Sequence, residues 1–139
     1  DEKDGFVEIE QTAKGACLCG EVQFEVSLPT LWCGHCHCTQ CQRYHGAPLV
    51  TWVGVSQDQF QVTQGEHKLS WHASSAPARR GFCGECGSSF LFQSEKWPGE
   101  MHISLPNFKD PIDREPEGHT HFDTHCSWLA LNDDLPRKI

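Results

Sequence analysis

The spacing of the cysteines constrains this chain more strongly than any other feature of its sequence. Nine cysteines occur among 139 residues, in three close groups and one isolated position. They are Cys17 and Cys19; Cys33, Cys36, Cys38 and Cys41; Cys83 and Cys86; and the isolated Cys126. Cysteines two or three residues apart are better placed to share a metal ion than to bond to each other. The odd cysteine count and the lack of a recognisable secretory leader also favour metal over disulfides.

The composition indicates why such a chain would need metal ions. Hydrophobic residues make up only 37% of the sequence, and the mean hydropathy is −0.51. Small domains with little apolar material commonly depend on metal ions or covalent cross-links for their stability. We therefore expect residues 1–139 to form a single zinc-binding domain.

Charge and hydropathy argue against two classes of partner. The formal net charge is −8, whereas nucleic-acid binding is driven by Lys and Arg side chains that neutralise phosphates. The sequence contains no run of about 18 apolar residues, so it predicts no membrane-spanning helix. We expect a cytoplasmic protein that binds neither nucleic acids nor membranes.

The third cysteine group is the clearest single motif. Residues 82–88 are typical of a zinc knuckle, a tight turn that directs the sulfurs of Cys83 and Cys86 to one point. Gly84 and Gly87 are expected to adopt positive φ there and to leave backbone N–H groups facing the sulfurs. A knuckle supplies two ligands, whereas a structural zinc ion takes four. The other pair must come from elsewhere in the chain.

The first cysteine group is the best candidate for that pair. It comes directly before residues 20–26, in which apolar and polar residues alternate as in a β-strand. Residues i and i+2 of a strand point to the same side, so we expect Cys17 and Cys19 to present their sulfurs together. This scheme places four cysteines around one zinc ion: Cys17, Cys19, Cys83 and Cys86.

The middle group contains three cysteines within six residues. Cys36, Cys38 and Cys41 can converge on one ion if the chain is extended up to Cys38 and then turns. Three protein ligands and an open fourth position are typical of catalytic zinc. A rival scheme stays open at this point, in which both sites are closed and structural. It pairs Cys33 and Cys36 with Cys83 and Cys86, and leaves Cys17, Cys19, Cys38 and Cys41 for a second ion.

The rest of the sequence predicts a mainly β domain. Six short segments alternate in polarity or are rich in β-branched and aromatic residues, as strands are: 6–10, 49–53, 59–62, 67–71, 89–92 and 101–105. Gly65 and Glu66 are typical of a hairpin turn. Residues 39–45 are the one segment expected to turn helically. Residues 106–118, rich in Pro and acidic residues, are predicted to form a long surface loop.

Three ordered motifs resemble those of the glutathione-dependent formaldehyde-activating enzyme family. They are Gly15-x-Cys17-x-Cys19-Gly20-x-Val22, Cys36-His37-Cys38-x-x-Cys41 and Phe82-Cys83-x-x-Cys86-Gly87. Trp128-Leu129 and Leu135-Pro136 resemble the usual end of that domain. The resemblance covers about residues 15–136. It implies a mainly β fold of coiled antiparallel sheets, the β-tent type shared with methionine sulfoxide reductase B.

The resemblance also implies roles for seven of the cysteines. A structural zinc ion would be held by Cys17, Cys19, Cys83 and Cys86, and a second, catalytic zinc ion by Cys36, Cys38 and Cys41. The implied activity is that of a carbon–sulfur lyase of the S-(hydroxymethyl)glutathione synthase type. Such an enzyme condenses glutathione, or another small thiol, with formaldehyde. Cys33 and Cys126 lie outside the family pattern.

Two other functions are compatible with the same cysteines. A non-catalytic, zinc-stabilised binding module would need only the structural site. A thiol redox sensor would use Cys33 and Cys36 after loss of zinc. Counting bound metal ions, and testing whether one can be removed without unfolding, separates these from the enzyme.

Histidines and arginines near the motifs are candidates for supporting roles. One of the histidines is an alternative fourth ligand of the second zinc ion, since imidazole binds zinc well. Each is nevertheless expected to be a surface group or a neighbour of the ligands, and His37 to point away from the metal because it lies between two ligands. They are His35, His37, His45, His119, His121 and His125. Arg43, Arg79 and Arg80 are expected to meet a substrate carboxylate or to be solvated, and Trp97 and Pro98 to line a pocket.

Overall fold

The computed structural model describes residues 11–139, which form ten β-strands, one α-helix and short 3-10 turns. The strands are β1 Thr12–Ala16, β2 Gln23–Ser27, β3 Trp32–Cys36, β4 Val50–Ser56, β5 Phe60–Gln64, β6 Leu69–Ser75, β7 Ala78–Cys83, β8 Ser89–Ser94, β9 Glu100–Ser104 and β10 His119–Thr120. The helix α1 spans Thr39–His45. Within these residues no helix is both long and apolar enough to cross a membrane. The cytoplasmic location stays a prediction.

The strands form two sheets. The smaller sheet has the order β1-β2-β5, and the larger has the order β10-β3-β4-β9-β8-β7-β6. All strand pairs are antiparallel except β10 with β3, which is parallel. The predicted mainly β class with antiparallel sheets is therefore confirmed.

The main hydrophobic core joins the two sheets. Phe24 of β2 stacks on Phe90 of β8 with ring centroids 5.8 Å apart, and its edge meets Phe108 at 5.3 Å. Val53 and Val55 of β4 are fully buried in the same core. Burial of each such side chain stabilises the fold by about 1.5–3 kcal/mol. One face of the larger sheet thus packs against the smaller sheet.

The opposite face of the larger sheet carries a row of five directly paired residues. In strand order they are Trp32, Gly54, His102, Phe92 and Arg80. Residues paired in this way have their side chains on the same face of the sheet. The indole of Trp32 lies over Gly54, where an added Cβ atom would collide with the ring. The four residues of the row other than Gly54 line the cavity described below.

Most of the predicted elements are present. Five of the six predicted strand segments overlap β4, β5, β6, β8 and β9, and the predicted helical segment is α1. The sixth segment, 6–10, lies outside the described residues. Between the 3-10 turn Leu105–Asn107 and β10 the chain forms neither helix nor strand. The predicted loop nevertheless does more than cover the surface, since its Phe108 packs against the core.

The predicted hairpin at Gly65 is wrong. β5 pairs with β2 in the smaller sheet, whereas β6 pairs with β7 in the larger sheet. Gly65 therefore carries the chain from one sheet to the other. Its φ is +77°, and a Cβ atom there would collide with the backbone carbonyl of Glu21. A glycine that permits this close crossing resembles a hairpin glycine in sequence.

We predict that Gly54→Ala lowers the free energy of unfolding by about 1–3 kcal/mol, because overpacking against Trp32 forces side-chain or backbone shifts. Chemical denaturation measures the change. The control is Gly34→Ala on neighbouring β3, where the Cβ atom would have only an ordinary contact at 3.5 Å with the carbonyl of Gly118. Equal stability of the two variants would contradict the packing described for Trp32.

Candidate metal centres

Four cysteines converge where two turns meet. The sulfurs of Cys17, Cys19, Cys83 and Cys86 all lie within 4.8 Å of one another. The Sγ atom of Cys19 is 3.7 Å from that of Cys17 and 3.8 Å from that of Cys83. We call these four residues the clamp cluster, because they join the β1–β2 turn of the smaller sheet to the β7–β8 turn of the larger sheet.

Three of the four clamp cysteines lie in turns, and the fourth, Cys83, is the last residue of β7. Cys17 and Cys19 follow the end of β1 and precede β2, in a turn closed by the Cys17 N–H to Val22 carbonyl bond at 3.0 Å. The expectation that they lie on a strand is therefore wrong. The β7–β8 turn has the predicted positive φ at Gly87, +78°.

Gly84 does not adopt the positive φ expected for it. Its backbone N–H instead donates to the carbonyl of Lys68 at 2.8 Å. A Cβ atom at Gly84 would approach that carbonyl to 3.2 Å. The glycine is used for this close approach of two chain segments.

Backbone N–H groups point at the clamp sulfurs. Val22 donates to Cys17 Sγ at 3.4 Å, and Glu85 donates to Cys83 Sγ at 3.3 Å. Burial alone would raise the pKa of Cys17, but the Val22 N–H and neighbouring thiols lower it. Burial likewise opposes the shift at Cys86, yet N–H groups of Ser88 and Cys19 lower its pKa to about 7. The turns thus favour thiolates at Cys17 and Cys86. At Cys19 the Glu21 N–H would lower the pKa, but burial and the neighbouring thiols raise it to about 12.

The second cluster consists of Cys36, Cys38 and Cys41, whose sulfurs also lie within 4.8 Å of one another. We call it the pocket cluster. Cys36 ends β3, Cys38 is the extended N-cap of α1, and Cys41 lies in the first turn of that helix. The N–H of Cys41 donates to Cys38 Sγ at 3.3 Å, so the same sulfur caps the helix. This strand–cap–helix path is the extended segment and turn that the spacing predicts.

The pKa values of the pocket-cluster thiols are shifted in opposite directions. Hydrogen bonds from Cys36 and Cys41 lower the pKa of Cys38 to about 2. The hydrogen bond to Cys38, together with Cys41 and burial, raises the pKa of Cys36 far above its ordinary value. Three thiols held this closely cannot all ionise without a cation to compensate their charge.

The sulfur spacing fits tetrahedral zinc at both clusters. Zinc–sulfur bonds of about 2.3 Å place the sulfurs of a tetrahedral site about 3.8 Å apart. The separations are 3.7 and 3.8 Å in the clamp cluster, and 3.7 Å between Cys36 and Cys41 in the pocket cluster. A disulfide would need about 2.05 Å, and all nine cysteines are free. Both clusters are therefore able to hold a metal ion.

The pocket cluster opens into a cavity of about 450 Å³. Its floor consists of aromatic residues on one face of the larger sheet, together with Trp97 from the β8–β9 turn. The sheet residues are Trp32, Trp52, Phe92 and His102. Its other side is formed by residues 117–121 with Pro136 and Lys138. None of the clamp cysteines lines this cavity. The expectation that Trp97 lines a pocket is confirmed, while Pro98 borders a separate surface depression.

His102 is the polar group on the aromatic floor. Its Nε2 lies 2.9 Å from Glu100 Oε1, and the same carboxylate oxygen accepts the Trp32 indole N–H at 3.2 Å. Burial lowers the pKa of His102 in spite of this carboxylate. Glu100 thus fixes the orientation of both rings.

Arg80 is a site residue that the sequence pattern did not distinguish from its neighbour. It is only 2% exposed, and its Nη1 donates to Cys41 Sγ at 3.6 Å. Arg79 is exposed, stacks on Trp71 and donates to Gln93. The expectation of a solvated strand end therefore holds for Arg79 and is wrong for Arg80. Arg43 is exposed.

The histidines near the pocket cluster form a buried chain. His37 turns away from the three cysteines, as expected, and its Nε2 lies 2.8 Å from His119 Nδ1. His119 Nε2 lies 3.0 Å from both carboxylate oxygens of Asp133. His35 packs against His119 and is hydrogen-bonded to Thr51. These contacts attach β10 and the C-terminal segment to the cysteine-bearing end of β3.

The remaining cysteines do not join either cluster. Cys33 is 2% exposed in the main core, and Cys126 lies near the carbonyl of Pro48. The rival grouping, which pairs Cys33 and Cys36 with the knuckle, is therefore not formed. Cys33 and Cys36 are three residues apart on β3, which separates their Cα atoms by about 10 Å. A disulfide between them would require rearrangement of the strand.

Comparisons with known proteins agree with the cysteine motifs. The profile of the glutathione-dependent formaldehyde-activating enzyme family matches residues 12–124. A Halomonas elongata protein, provisionally named a glutathione-dependent formaldehyde-activating enzyme, is 25% identical over 125 residues, which cover 85% of this chain and 80% of the relative. The crystal structure of a Rhodobacter sphaeroides protein has the same fold. Its TM-score is 0.57 at 21% identity, over 89% of this chain and 98% of that one.

We predict that Cys33 resists alkylation by iodoacetamide at pH 8 in the folded protein, while the partly exposed Cys126 reacts. Burial raises the pKa of Cys33 to about 11, which leaves about one thiol in a thousand ionised at that pH. Peptide mass spectrometry reads both sites, and denaturant should make them equally reactive. Rapid labelling of native Cys33 would support the redox-sensor alternative instead.

Proposed function

Because the chain belongs to the glutathione-dependent formaldehyde-activating enzyme family, we propose that it is a zinc-dependent carbon–sulfur lyase that condenses glutathione, or another small thiol, with formaldehyde. The observation that carries this proposal is the position of the pocket cluster. Three cysteines face a cavity of about 450 Å³, whereas the four-cysteine clamp lies outside it. A zinc ion held by these three cysteines would therefore keep one coordination position for a ligand, and the cavity offers space for that ligand.

The proposal assigns a different task to each cluster. Cys17, Cys19, Cys83 and Cys86 would hold a structural zinc ion that joins the two sheets. Cys36, Cys38 and Cys41 would hold a second zinc ion at the cavity, which gives two ions per chain within a single domain. When bound with an open position, zinc supplies a Lewis acid that keeps a thiol in its thiolate form near pH 7.

The reaction is a redox-neutral addition. The thiol sulfur forms a bond to the formaldehyde carbon, the carbon–oxygen π pair moves to oxygen, and the thiol proton ends on that oxygen. The product is a hydroxymethyl thioether. The protein's contribution is to hold both reactants in a cavity with a largely aromatic floor, since positioning replaces an encounter in solution with a local one.

The cavity has the dimensions expected for a small-molecule site. Ligand pockets commonly enclose about 300–1,000 Å³ and combine apolar walls with a few oriented polar groups. Here the oriented groups are Arg80 beside the cysteines and His102 on the floor, each fixed by neighbours. A small thiol and an aldehyde fit this description better than a macromolecule.

We predict that Cys41→Ser loses one of two bound zinc ions and its activity, while the fold is retained. Loss of a ligand at the cavity should reduce turnover by at least about a hundredfold. The measurements are metal content, circular dichroism, and exchange NMR of glutathione with formaldehyde. Cys126→Ser, which touches neither cluster, is the control. Retained turnover in the Cys41 variant would contradict the proposed mechanism.

We predict the opposite pattern for Cys83→Ala, which should fail to fold. A structural zinc ion supplies about 10–16 kcal/mol of apparent folding free energy. The free energy of unfolding of a whole domain is only about 5–15 kcal/mol. The matched control is Cys33→Ala, since both thiols are buried but Cys33 lies outside the clusters. Circular dichroism and metal content distinguish the variants. Folded, fully active Cys83→Ala protein would exclude the structural role.

A non-catalytic zinc-stabilised module predicts a different outcome. In such a protein Cys83→Ala would still prevent folding. Glutathione and formaldehyde, however, would exchange at the same rate in the presence and in the absence of the protein. That result would leave the fold and the clamp intact and would remove the proposed activity.

A further inference from the structure

Arg80 has an unusual environment for a charged side chain. It lies on β7 in the cross-strand row, and its guanidinium packs over Phe92 at 4.8 Å and Tyr44 at 5.4 Å. The residue is 2% exposed and lines the cavity. A cation buried among aromatic rings is costly unless a negative charge compensates it.

The compensating charge does not come from a carboxylate. Among residues 11–139, Arg80 forms no salt bridge, and its Nε is buried without an acceptor. Its hydrogen bond at 3.6 Å goes to Cys41 Sγ. The anion that faces Arg80 is therefore the pocket cluster itself.

The clamp cluster offers an internal comparison. Its neighbouring cation, Lys68, is on the surface, and its Nζ is 2.9 Å from Glu21 and 3.9 Å from Glu85. Lys68 is thus already shared between carboxylates, in contact with water that weakens its field. Arg80 is withdrawn from water and directed at one cluster. This difference between the two cations indicates that Arg80 does more at the cavity than help to retain a metal ion.

We infer that Arg80 is a positioning residue that allows the pocket cluster to accept an anionic fourth ligand, the substrate thiolate. This rests on the proposed function. Three thiolates and one zinc ion carry a single net negative charge, and a fourth thiolate doubles it. A buried guanidinium beside Cys41 offsets the added charge where solvent screening is weak. Its planar group also lies over the ring of Phe92, a contact for which a lysine ammonium is less well suited.

The test measures ligand binding at the metal rather than turnover alone. Protein loaded with Co²⁺ reports thiolate coordination through its visible and charge-transfer absorption. Glutathione and 2-mercaptoethanol are titrated as anionic ligands and imidazole as a neutral ligand, into wild type, Arg80→Met, Arg80→Gln and Arg80→Lys. Arg79→Met is the matched control, since Arg79 precedes Arg80 on the same strand but is exposed.

We expect both neutral variants to bind the two thiols about 10- to 100-fold more weakly, in the range found for groups that support metal ligands. Imidazole affinity should be unchanged or higher. Arg80→Lys should recover part of the thiol affinity, and Arg79→Met should match wild type. In steady-state assays of zinc protein, the loss should appear mainly in KM for the thiol.

The contradicting outcomes are distinct. Equal weakening of thiol and imidazole binding would mean that Arg80 only supports the local structure. Undiminished thiol binding in a folded Arg80→Met or Arg80→Gln protein would overturn the role of Arg80 but leave the proposed function standing. If wild-type cobalt protein binds no thiol at all, the proposed function and the role of Arg80 are both wrong.

Discussion

The convergence of the clamp sulfurs is the interaction on which the rest of the structure depends. Cys19 and Cys83 are 64 residues apart in sequence, yet their sulfurs are 3.8 Å apart. Cys19 belongs to a turn of the smaller sheet and Cys83 ends β7 of the larger sheet, so their contact lies where the two sheets meet. Phe24 and Phe90 lie in the same hydrophobic core as Cys17 and Cys83. In a chain poor in aliphatic residues, this is a short route to a defined core.

Side chains alternate between the two faces of a strand, so the residues that pack in the core also determine which residues face the cavity. Val53 and Val55 face the core, so Trp52 and Gly54 necessarily face the opposite side. The same alternation places Arg80 on the cavity face, three residues before Cys83 on β7. One strand thus carries a clamp cysteine and the cation of the pocket cluster. A change that displaces the clamp should therefore also disturb the charge beside Cys41.

The pairs and the Cys36–Cys38–Cys41 triplet were predictable because their geometry is local: spacings of two and three residues determine which sulfurs can meet within a turn. Which pair joins which across 64 residues was not determined by spacing, which left a rival grouping open; only the resemblance to the family implied the observed one. The choice between Arg79 and Arg80 was not predictable, since it depends on strand register against β8, which a single strand does not reveal. The sheet change at Gly65 was missed for the same reason, because hairpin and crossover glycines differ only in what their neighbours pair with.

Both clusters consist of cysteine sulfurs, but they differ in the chain segments from which the cysteines come. In the clamp cluster two cysteines come from the β1–β2 turn and two from the end of β7 and the turn after it, so the sulfurs approach one point from two sides. The pocket cluster draws its sulfurs from one continuous strand–cap–helix segment, in which Cys38 also caps α1. One short segment approaches an ion from one side, so the remaining direction faces whatever lies opposite. Here that is a cavity with an aromatic floor and a buried arginine. The openness on which the proposed chemistry depends is therefore a consequence of chain path, and the charge that suits it to a thiolate comes from a different strand.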